Sequence, residues 1–339
     1  MSDPWEEIDW LALERIRKGY LGETAGRADY WESESDLFSY DQTFAQRIGW
    51  KWDHVCQDLL RRGWSPPSGG LLDWGCGSGI AHRSFLRAFP QSAQGGLKVW
   101  DRSPLARDYS MKKARRQFEG LSVSDHNPDR PMGGVVLLSH VWTELDETAQ
   151  GKLLEDLRTA SAIIWVEPGT YASSRSLIGI RAILREQFHV VAPCVHQETC
   201  GLLKPSREHD WCHHFAEPAR EVFTSPQWAS FNQRLGIDLR SLAVSYLVLD
   251  NRAPQALPNG AVRLLGRPRV YKAHALLLGC DASGVSEGRL MKRHSAELFR
   301  KAKKDTLTTL QTWVREEGDI LEAQELSGAP ESTPASSGT

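Results

Sequence analysis

A glycine-rich segment over residues 71–79 has the residue types of a nucleotide-binding loop. A short apolar strand ends there in an acid, three glycines follow at alternate positions, and a helical pattern begins. Glycine tolerates positive φ and lets a ligand approach the backbone, while a helix N-terminus offers free N–H groups. The dinucleotide fingerprint G-x-G-x-x-G would need glycine at position 80, which is isoleucine. The candidate binding residues of this segment are Asp73, Gly75, Gly77 and Gly79.

This acidic-x-G-x-G-x-G pattern resembles the first motif of S-adenosylmethionine-dependent methyltransferases with a Rossmann-like fold. The second predicted strand ends at Asp101, 22 residues after Gly79, where an acid can accept hydrogen bonds from ribose hydroxyls. By the same resemblance, Asp125 would contact the adenine amino group, and Ser139 and His140 would border the methionine part. The pattern predicts an S-adenosylmethionine site, and a glycine-rich turn without a ligand is the alternative.

A second group of residues has the chemistry of a metal site. Cys194, Cys200 and Cys212 are separated by five and eleven residues in an aperiodic segment, and Cys280 ends an apolar strand. Four thiolates can close a tetrahedral zinc site or hold an iron–sulfur cluster. The spacing matches neither paired C-x-x-C motifs nor ferredoxins, and histidines at positions 196, 213 and 214 allow a mixed site, so the metal stays open. Buried cysteines acting as small hydrophobes are the alternative.

The elements that must position these residues alternate between strands and helices from residue 71 to residue 187. Such alternation implies a parallel, doubly wound sheet. Apolar residues at positions 44, 48, 52, 55 and 59 predict a helix over 41–62 in front of it. The predicted class is α/β: a Rossmann-like fold, doubly wound and mostly parallel, with a Cys-rich metal-binding insertion.

Composition changes divide the chain into five predicted segments. They are an N-terminal helical segment (1–65), a Rossmann-like cofactor-binding core (66–189), a Cys/His-rich metal-binding insertion (190–240), the end of the core sheet with a basic C-terminal segment (241–318), and a disordered tail (319–339). Residues 286–316 are predicted to be helical, and low complexity begins near residue 327.

Overall composition excludes several classes of protein. The 339 residues are 40% hydrophobic and 25% charged, as in ordinary globular proteins rather than fibrous or fully disordered ones. The longest apolar runs are far shorter than the ~18 residues that cross a bilayer. The acidic start over residues 1–9 resembles neither a secretory signal nor a transit peptide, so a cytoplasmic protein without a membrane partner is expected.

The net charge of -2 conceals a strong asymmetry. Residues 1–36 carry ten acids and four bases, whereas residues 261–304 carry eleven Lys or Arg and three acids. The basic segment suits phosphate contacts with RNA, and a solvated helix face is the alternative. DNA is not expected as a partner.

Together the motifs resemble the methyltransferase-like proteins of the small ribosomal subunit, known from mitochondria and bacteria. The resemblance covers about residues 40–318, and its pieces are Asp73–Gly79, Ser139–Leu145, Val166–Thr170, Ala192–His196, Trp211–His213, Ser245–Leu249 and Cys280. It implies a Rossmann-like methyltransferase fold, a four-iron cluster on Cys194, Cys200, Cys212 and Cys280, and association with the small subunit and its RNA during assembly. Two departures are Gly201, where the family usually has proline, and an extra histidine, His214.

The catalytic group is the least defined part of the sequence. Methyl transfer needs a nucleophile in line with the sulfonium methyl and, for some acceptors, a base. The end of the third strong strand, Leu138–Trp142, has neither an Asn/Asp-Pro-Pro-aromatic motif nor a catalytic cysteine, so the candidate bases are His140 and Glu144. Three functions stay open: an S-adenosylmethionine-dependent RNA methyltransferase, a non-catalytic RNA-binding assembly factor, and an iron–sulfur redox or iron sensor.

Overall fold

The computed structural model describes residues 3–21 and 30–326. Three helices precede the sheet: α1, Trp10–Leu21; α2, Glu34–Gln42; and α3, Phe44–Arg61. The periodic apolar residues Trp52, Val55 and Leu59 of α3 are buried in the same core cluster as the first strand. The predicted helix over 41–62 is confirmed, except that the chain turns at Thr43 between α2 and α3.

An eight-stranded sheet forms the centre of the fold. Its strands are β1, Leu71–Trp74; β2, Leu97–Trp100; β3, Val123–Asp125; β4, Val135–Ser139; β5, Ala162–Pro168; β6, His189–Ala192; β7, His214–Ala216; and β8, Leu242–Asp250. The order is β3-β2-β1-β4-β5-β8-β6, with β7 also paired to β8. The first five strands are parallel, and β8 is antiparallel to its three neighbours. The predicted α/β class is confirmed, with a mixed sheet.

Helices cover both faces of this sheet, so its strands are apolar on both sides. The helices that follow the strands are α4, Ile80–Ala88; α5, Pro104–Gln117; α6, Glu147–Leu157; α7, Tyr171–Leu184; and α8, Pro226–Leu235. Successive residues of β5 divide between two core clusters: Ile164 packs with α3 and α4, and Ile163 packs with α6 and α7. The loops after β1, β2 and β4 therefore meet at one edge of the sheet.

The predicted insertion over 190–240 is only partly irregular. Both β6 and β7 pair with β8, so the central sheet extends into this segment. These strands have four and three residues, too short for a period to be visible in the sequence. Helix α8 also lies in the segment and buries Trp228 and Phe231 against Leu13 of α1.

The largest correction concerns the C-terminal part of the chain. The sequence predicts a helix over 286–316 and a disordered tail from residue 319, whereas the structure has strands in both places. They are β9, Ala261–Val270; β10, His274–Asp281; β11, Gly284–Met291; β12, Leu310–Glu316; and β13, Asp319–Glu325. These strands close a barrel separate from the central sheet, and α9, Ala296–Lys304, is the helical part.

Glycines at buried positions hide this part of the barrel in the sequence. In β11 the exposed Glu287 and Arg289 alternate with the buried Gly288 and Leu290, but glycine at the buried positions 284 and 288 leaves the apolar period of two incomplete. The predicted low-complexity tail from residue 327 lies outside the described residues. No helix within the described ranges is long and apolar enough to cross a membrane.

Candidate functional site

The glycine loop joins β1 to α4, and its glycines have positive φ: 73° at Gly75, 48° at Gly77 and 82° at Gly79. A Cβ at Gly75 would lie 2.4 Å from Cγ1 of Val141. Space around Gly77 is open, and its N–H donates to Oδ2 of Asp101 at 2.9 Å. The loop therefore lies against the ends of β1, β2 and β4. At Gly75, where it packs against Val141, there is no room for a side chain.

Asp73 supports this loop from within the core. Its buried Oδ2 lies 2.7 Å from Nδ1 of His82 on α4, and its Oδ1 has no protein partner. The His82 ring lies under the loop, since a Cβ at Gly79 would be 2.4 Å from its Cε1. Asp73 therefore fixes the junction of the loop and α4 and does not line the cavity above it.

A cavity of about 460 Å³ opens at the carboxyl ends of β1, β2 and β4. This volume is within the range of small-molecule sites, and the edge is where open α/β sheets bind ligands. Trp74 and Trp100 stack in its wall, with ring centroids 4.6 Å apart. Six residues singled out in the sequence line the cavity: Gly75, Gly77, Asp101, Ser139, His140 and Glu144.

Asp125, predicted to contact adenine, lies outside that lining. Its Oδ2 is 3.2 Å from Nε of Arg107, an ion pair that is partly exposed. Nη1 of Arg107 also donates to the carbonyl oxygen of Asp101 at 2.8 Å. Asp125 is therefore linked to the cavity residue Asp101 through Arg107, and neither Asp125 nor Arg107 lines the cavity.

The end of β4 has an unusual backbone. His140 has a φ of 57°, uncommon for a non-glycine residue, and such strain is concentrated at functional sites. Burial lowers the pKa of its imidazole, and the cations of Lys51 and Arg47 lower it further. Its buried Nε2 has no protein partner, while the neighbouring Ser139 Oγ accepts from Nε1 of Trp52 at 2.9 Å. His140 therefore lines the cavity with a neutral ring whose buried Nε2 has no protein partner.

Sequence reasoning missed two buried charged groups beside His140. Burial lowers the pKa of Lys51, on α3, to about 7, and Arg47 adds to the effect. Burial also raises the pKa of Glu167, on β5, to about 7, although its Oε1 accepts from three donors. Oε2 of Glu167 has no protein partner. A lysine three residues after Ile48, within the apolar stripe of α3, was the available signal.

Glu144 is the acidic group of the cavity wall whose charge depends on pH near neutrality. Burial raises the pKa of its carboxyl to about 7, and the neighbouring carboxylate of Asp101 raises it further. Ionisation of Glu144 therefore makes this wall more negative as pH increases through neutrality.

Aromatic residues of α1, α2, α3 and the segment before α2 form another wall, which sequence reasoning did not identify as part of a site. The rings belong to Tyr20, Tyr30, Trp31, Tyr40 and Phe44. Neighbouring rings contact each other at centroid distances of 4.6 to 6.4 Å. Such a wall excludes water and can stack on planar ligands.

The four predicted cysteine ligands meet between the central sheet and the barrel. Cys194 follows β6, Cys200 precedes a short helical turn, Cys212 precedes β7, and Cys280 lies on β10. Cys200, Cys212 and Cys280 share one apolar cluster. Burial raises the pKa of the Cys212 thiol, and the other three thiols raise it further, so all four are neighbours.

A metal site is not shown at these cysteines. Within residues 3–21 and 30–326, no group of three or more His, Cys, Asp or Glu side chains has the geometry to hold one metal ion. Two of the three predicted histidines contact a thiol: His196 Nε2 is 3.7 Å from Cys280 Sγ, and His214 Nε2 is 3.8 Å from Cys212 Sγ. Nδ1 of His213 instead lies 3.1 Å from the carbonyl oxygen of Trp211.

Buried guanidinium groups hold the backbone of this cysteine cluster. Arg62 and Arg263 both donate to the carbonyl oxygen of Pro193, at 2.7 and 2.9 Å. Arg181 of α7 donates to the carbonyl oxygens of His196 and Glu198. These cations lie beside thiols, where they favour the thiolate form that metals require.

Gly201, one departure from the family pattern, has a physical reason. A Cβ at this position would lie 2.7 Å from the backbone nitrogen of Val285 and 2.8 Å from Cα of Gly284. The short helical turn after Cys200 therefore packs backbone to backbone on the barrel, at the turn between β10 and β11.

Comparison with known proteins gives one family. The model described as mitochondrial small ribosomal subunit Rsm22 matches residues 96–308, more than half of the chain. No curated protein sequence matches.

Solved structures similar to the chain include three methyltransferases. Magnesium protoporphyrin IX methyltransferase from Synechocystis PCC 6803, with bound SAM, is 12% identical over 74% of this chain and 99% of its own, with a TM-score of 0.36. The plantazolicin methyltransferase in complex with SAH is 13% identical over 74% and 99%, with a TM-score of 0.34. A SAM-dependent methyltransferase from Aquifex aeolicus is 15% identical over 48% and 93%, also with a TM-score of 0.34.

Proposed function

The chain belongs to the Rsm22 family of the mitochondrial small ribosomal subunit, and we propose that it binds S-adenosylmethionine and acts on or with small-subunit RNA during ribosome assembly and translation. The observation that carries the proposal is the cavity at the carboxyl ends of β1, β2 and β4. Its lining combines a glycine loop, an acid after β2 and a strained residue after β4.

The chemistry of the lining suits this cofactor. Asp101 accepts from the N–H groups of Gly77 and Ser103, one on each oxygen, and these bonds fix its carboxylate in the cavity lining, where ribose hydroxyls could donate to it. The sulfonium is a cation, and the acids Asp101 and Glu144 favour it. The strand order, with antiparallel β8 between β5 and β6, is also that of Rossmann-like methyltransferases.

Methyl transfer requires that an acceptor reach the same cavity. His140 is the candidate base, because its neutral ring has an unpartnered Nε2 within the site. Glu144 is the alternative base, with a pKa of about 7 that allows proton exchange near neutral pH. The acceptor would then donate a lone pair to the methyl carbon and lose its proton to one of these groups, while the bond between the methyl carbon and the sulfonium sulfur breaks and its electron pair stays on the sulfur of S-adenosylhomocysteine.

The four cysteines would hold an iron–sulfur cluster, with zinc as the alternative metal. Four thiolates concentrate negative charge, and the buried guanidiniums of Arg181 and Arg263 offset it. A bound cluster would cross-link the ends of β6 and β7 to β10 of the barrel. Structural metal sites contribute ~10 kcal/mol or more of folding free energy, enough to order the irregular turns between these strands.

One preparation tests both parts of this function. Protein purified without air should contain about four irons per chain and absorb visible light, whereas Cys212→Ser should lose the iron. Cys56→Ser is the matched control, because Cys56 is buried in the separate core of α3. Protein with zinc and no iron would contradict the cluster.

The ribosomal part is tested on the same sample by sedimentation with small subunits. Wild-type protein should sediment with them and bind S-adenosylmethionine. Sedimentation without cofactor binding would instead favour a non-catalytic assembly factor, the second candidate function. The absence of a recognised catalytic motif after β4 is the observation that favours that alternative.

A further inference from the structure

The barrel of residues 261–325 lies outside the cofactor cavity, and its topology identifies its type. Strands β9, β10 and β11 form an antiparallel meander, and α9 connects β11 to β12. Strand β13 pairs in parallel with β11 and antiparallel with β12, which closes the barrel on β9. This is the arrangement of the oligonucleotide-binding fold, a five-stranded Greek-key barrel whose second and third strands present a ligand face.

One half of that face is already covered by the cysteine cluster. Cys280 and Leu278 of β10 and Val285 of β11 pack against Cys200 and Leu202. This contact fixes the barrel on the central domain and leaves the other half of the same face open.

The open half carries arginines in register across three strands. Arg269 of β9 pairs with Leu276 of β10, which pairs with Arg289 of β11. Both arginines are exposed. Their acidic neighbours are Glu287 and Asp319, each held in an ion pair with one of them.

Three further cations extend this half beyond the strand ends. Lys272 lies in the turn between β9 and β10, and the N–H of Lys292 donates to the carbonyl oxygen of Ala273 in the same turn at 3.0 Å. Arg293 follows Lys292, and all three side chains are exposed. Within the described part of the chain, none of them forms an ion pair with an acid, so their charges are available to phosphates.

An aromatic pair lies at the same turn. The rings of Tyr271 and His274 stack with centroids 4.8 Å apart and an interplanar angle of 15°. Tyr271 is 48% exposed, so its outer face is open to solvent. Exposed aromatic rings beside a basic groove are the platform on which single-stranded nucleic acids stack their bases.

We propose that the open half of this face binds single-stranded RNA, with a base stacked on Tyr271 and phosphates at Lys272, Lys292 and Arg293. The inference rests on the proposed function, since the small subunit supplies the RNA. A single strand fits better than a duplex, because a duplex keeps its bases stacked inside and offers no ring to Tyr271.

Fluorescence anisotropy with the full-length protein tests this inference. The probes are a labelled RNA of about 12 nucleotides, within the ~4–16 that such a fold covers, and the same RNA annealed to its complement. Tyr271→Ala should weaken single-strand binding roughly tenfold. The double variant Lys272→Gln/Lys292→Gln should weaken it and flatten its salt dependence. The controls are Tyr171→Ala, which removes a tyrosine of 45% exposure on α7, and Lys112→Gln/Lys152→Gln, which removes exposed lysines outside the barrel.

The outcomes separate this inference from the proposed function. Single-strand binding that Tyr271→Ala leaves unchanged would overturn the inference and place RNA elsewhere. Preference for the duplex would overturn it as well. Wild-type protein that binds neither probe but sediments with small subunits would indicate that the face contacts a protein, which overturns the inference and leaves the proposed function standing. Loss of sedimentation and cofactor binding would instead refute the proposed function.

Discussion

Asp58 of α3 and Arg263 of β9 form a buried ion pair in which Nη2 of the arginine lies 2.8 Å from both carboxylate oxygens. Their side chains are 4% and 1% exposed. Burial opposes ionisation of Asp58, but the guanidiniums of Arg263 and Arg62 outweigh it and hold its pKa well below the usual range. Both arginines also donate to the carbonyl oxygen of Pro193, next to Cys194. One network of ion pairs and hydrogen bonds therefore joins α3, the cysteine cluster and the barrel.

Replacing Arg263 with methionine should remove about 3 kcal/mol from the free energy of unfolding. The substitution leaves the Asp58 carboxylate buried with one counter-ion fewer and removes one of the two guanidinium donors to the Pro193 carbonyl oxygen. Denaturant unfolding is the measurement, with Arg240→Met as control because the Arg240–Asp238 pair is exposed. Equal stability of Arg263→Met and wild type would contradict the role of the network.

The ion pair of Asp58 and Arg263 also predicts how the stability of the protein changes at acid pH. A carboxyl with a lowered folded-state pKa stabilises the protein above its unfolded-state pKa of ~3.9, and this stabilisation is lost as pH falls through the folded-state pKa. The free energy of unfolding of wild type should therefore fall more steeply below about pH 4 than that of Arg263→Met. Parallel pH profiles would show that Asp58 is not stabilised by the pair.

Gly75→Ala should abolish S-adenosylmethionine binding with little loss of stability elsewhere. The added methyl would meet Cγ1 of Val141 at 2.4 Å at a φ of 73°, which displaces the loop. Gly120→Ala is the matched control, with a φ of 75° and open space around the new methyl. Calorimetric titration should show normal binding for the control alone, and normal binding by both variants would contradict the assigned loop.

Cofactor binding should depend on pH through Glu144. Its carboxyl has a pKa of about 7, so it is neutral at pH 6 and ionised at pH 8. S-adenosylmethionine is a sulfonium cation, whereas S-adenosylhomocysteine has no such charge. The affinity for S-adenosylmethionine relative to that for S-adenosylhomocysteine should therefore rise roughly fivefold between pH 6 and pH 8. This rise corresponds to about 1 kcal/mol of attraction between the ionised carboxylate and the sulfonium. Glu144→Gln should remove the rise, and a constant ratio in wild type would exclude Glu144 from the sulfonium environment.

Cys212→Ser should lower the melting temperature and expose residues 193–213 to proteolysis. The loss of one ligand removes the cross-link among the turns that carry the cysteines, and these turns bury few apolar side chains of their own. Cys56→Ser serves as the control for thiol removal from a packed core. Unchanged melting and protease resistance of Cys212→Ser would mean that the cysteines are ordinary buried side chains.

The cofactor-binding core could be predicted because the residues that indicate it lie close together in the sequence. A strand, a glycine loop and a helix follow one another within residues 71–88, and Asp101 comes directly after the next strand. Parallel strands then bring these ends together without further information. The four cysteines could also be named from the sequence. The side chains that surround them could not, because these come from distant segments of the chain.

The remaining features depend on contacts between distant segments. Lys51 and Glu167 meet His140 only because α3 packs on the ends of β4 and β5. The barrel was missed because glycine at the buried positions 284 and 288 weakens the apolar alternation of β11, and because charge in a basic run is as common on helices as on strands. The methyltransferase resemblance assigned Asp125 to the cofactor, whereas in the structure it ends β3 and pairs with Arg107 outside the cavity lining.

Calorimetric titration of S-adenosylmethionine into wild-type protein and Asp101→Ala tests whether the cavity at the ends of β1, β2 and β4 binds this cofactor. Asp108→Ala is the matched control, because Asp108 is an exposed acid on the neighbouring helix α5. The structure predicts one cofactor per chain for wild type and Asp108→Ala, and a loss of at least tenfold in affinity for Asp101→Ala, as expected when charge-assisted hydrogen bonds are removed. No binding by wild-type protein, or equal binding by all three proteins, would contradict S-adenosylmethionine binding at Asp101.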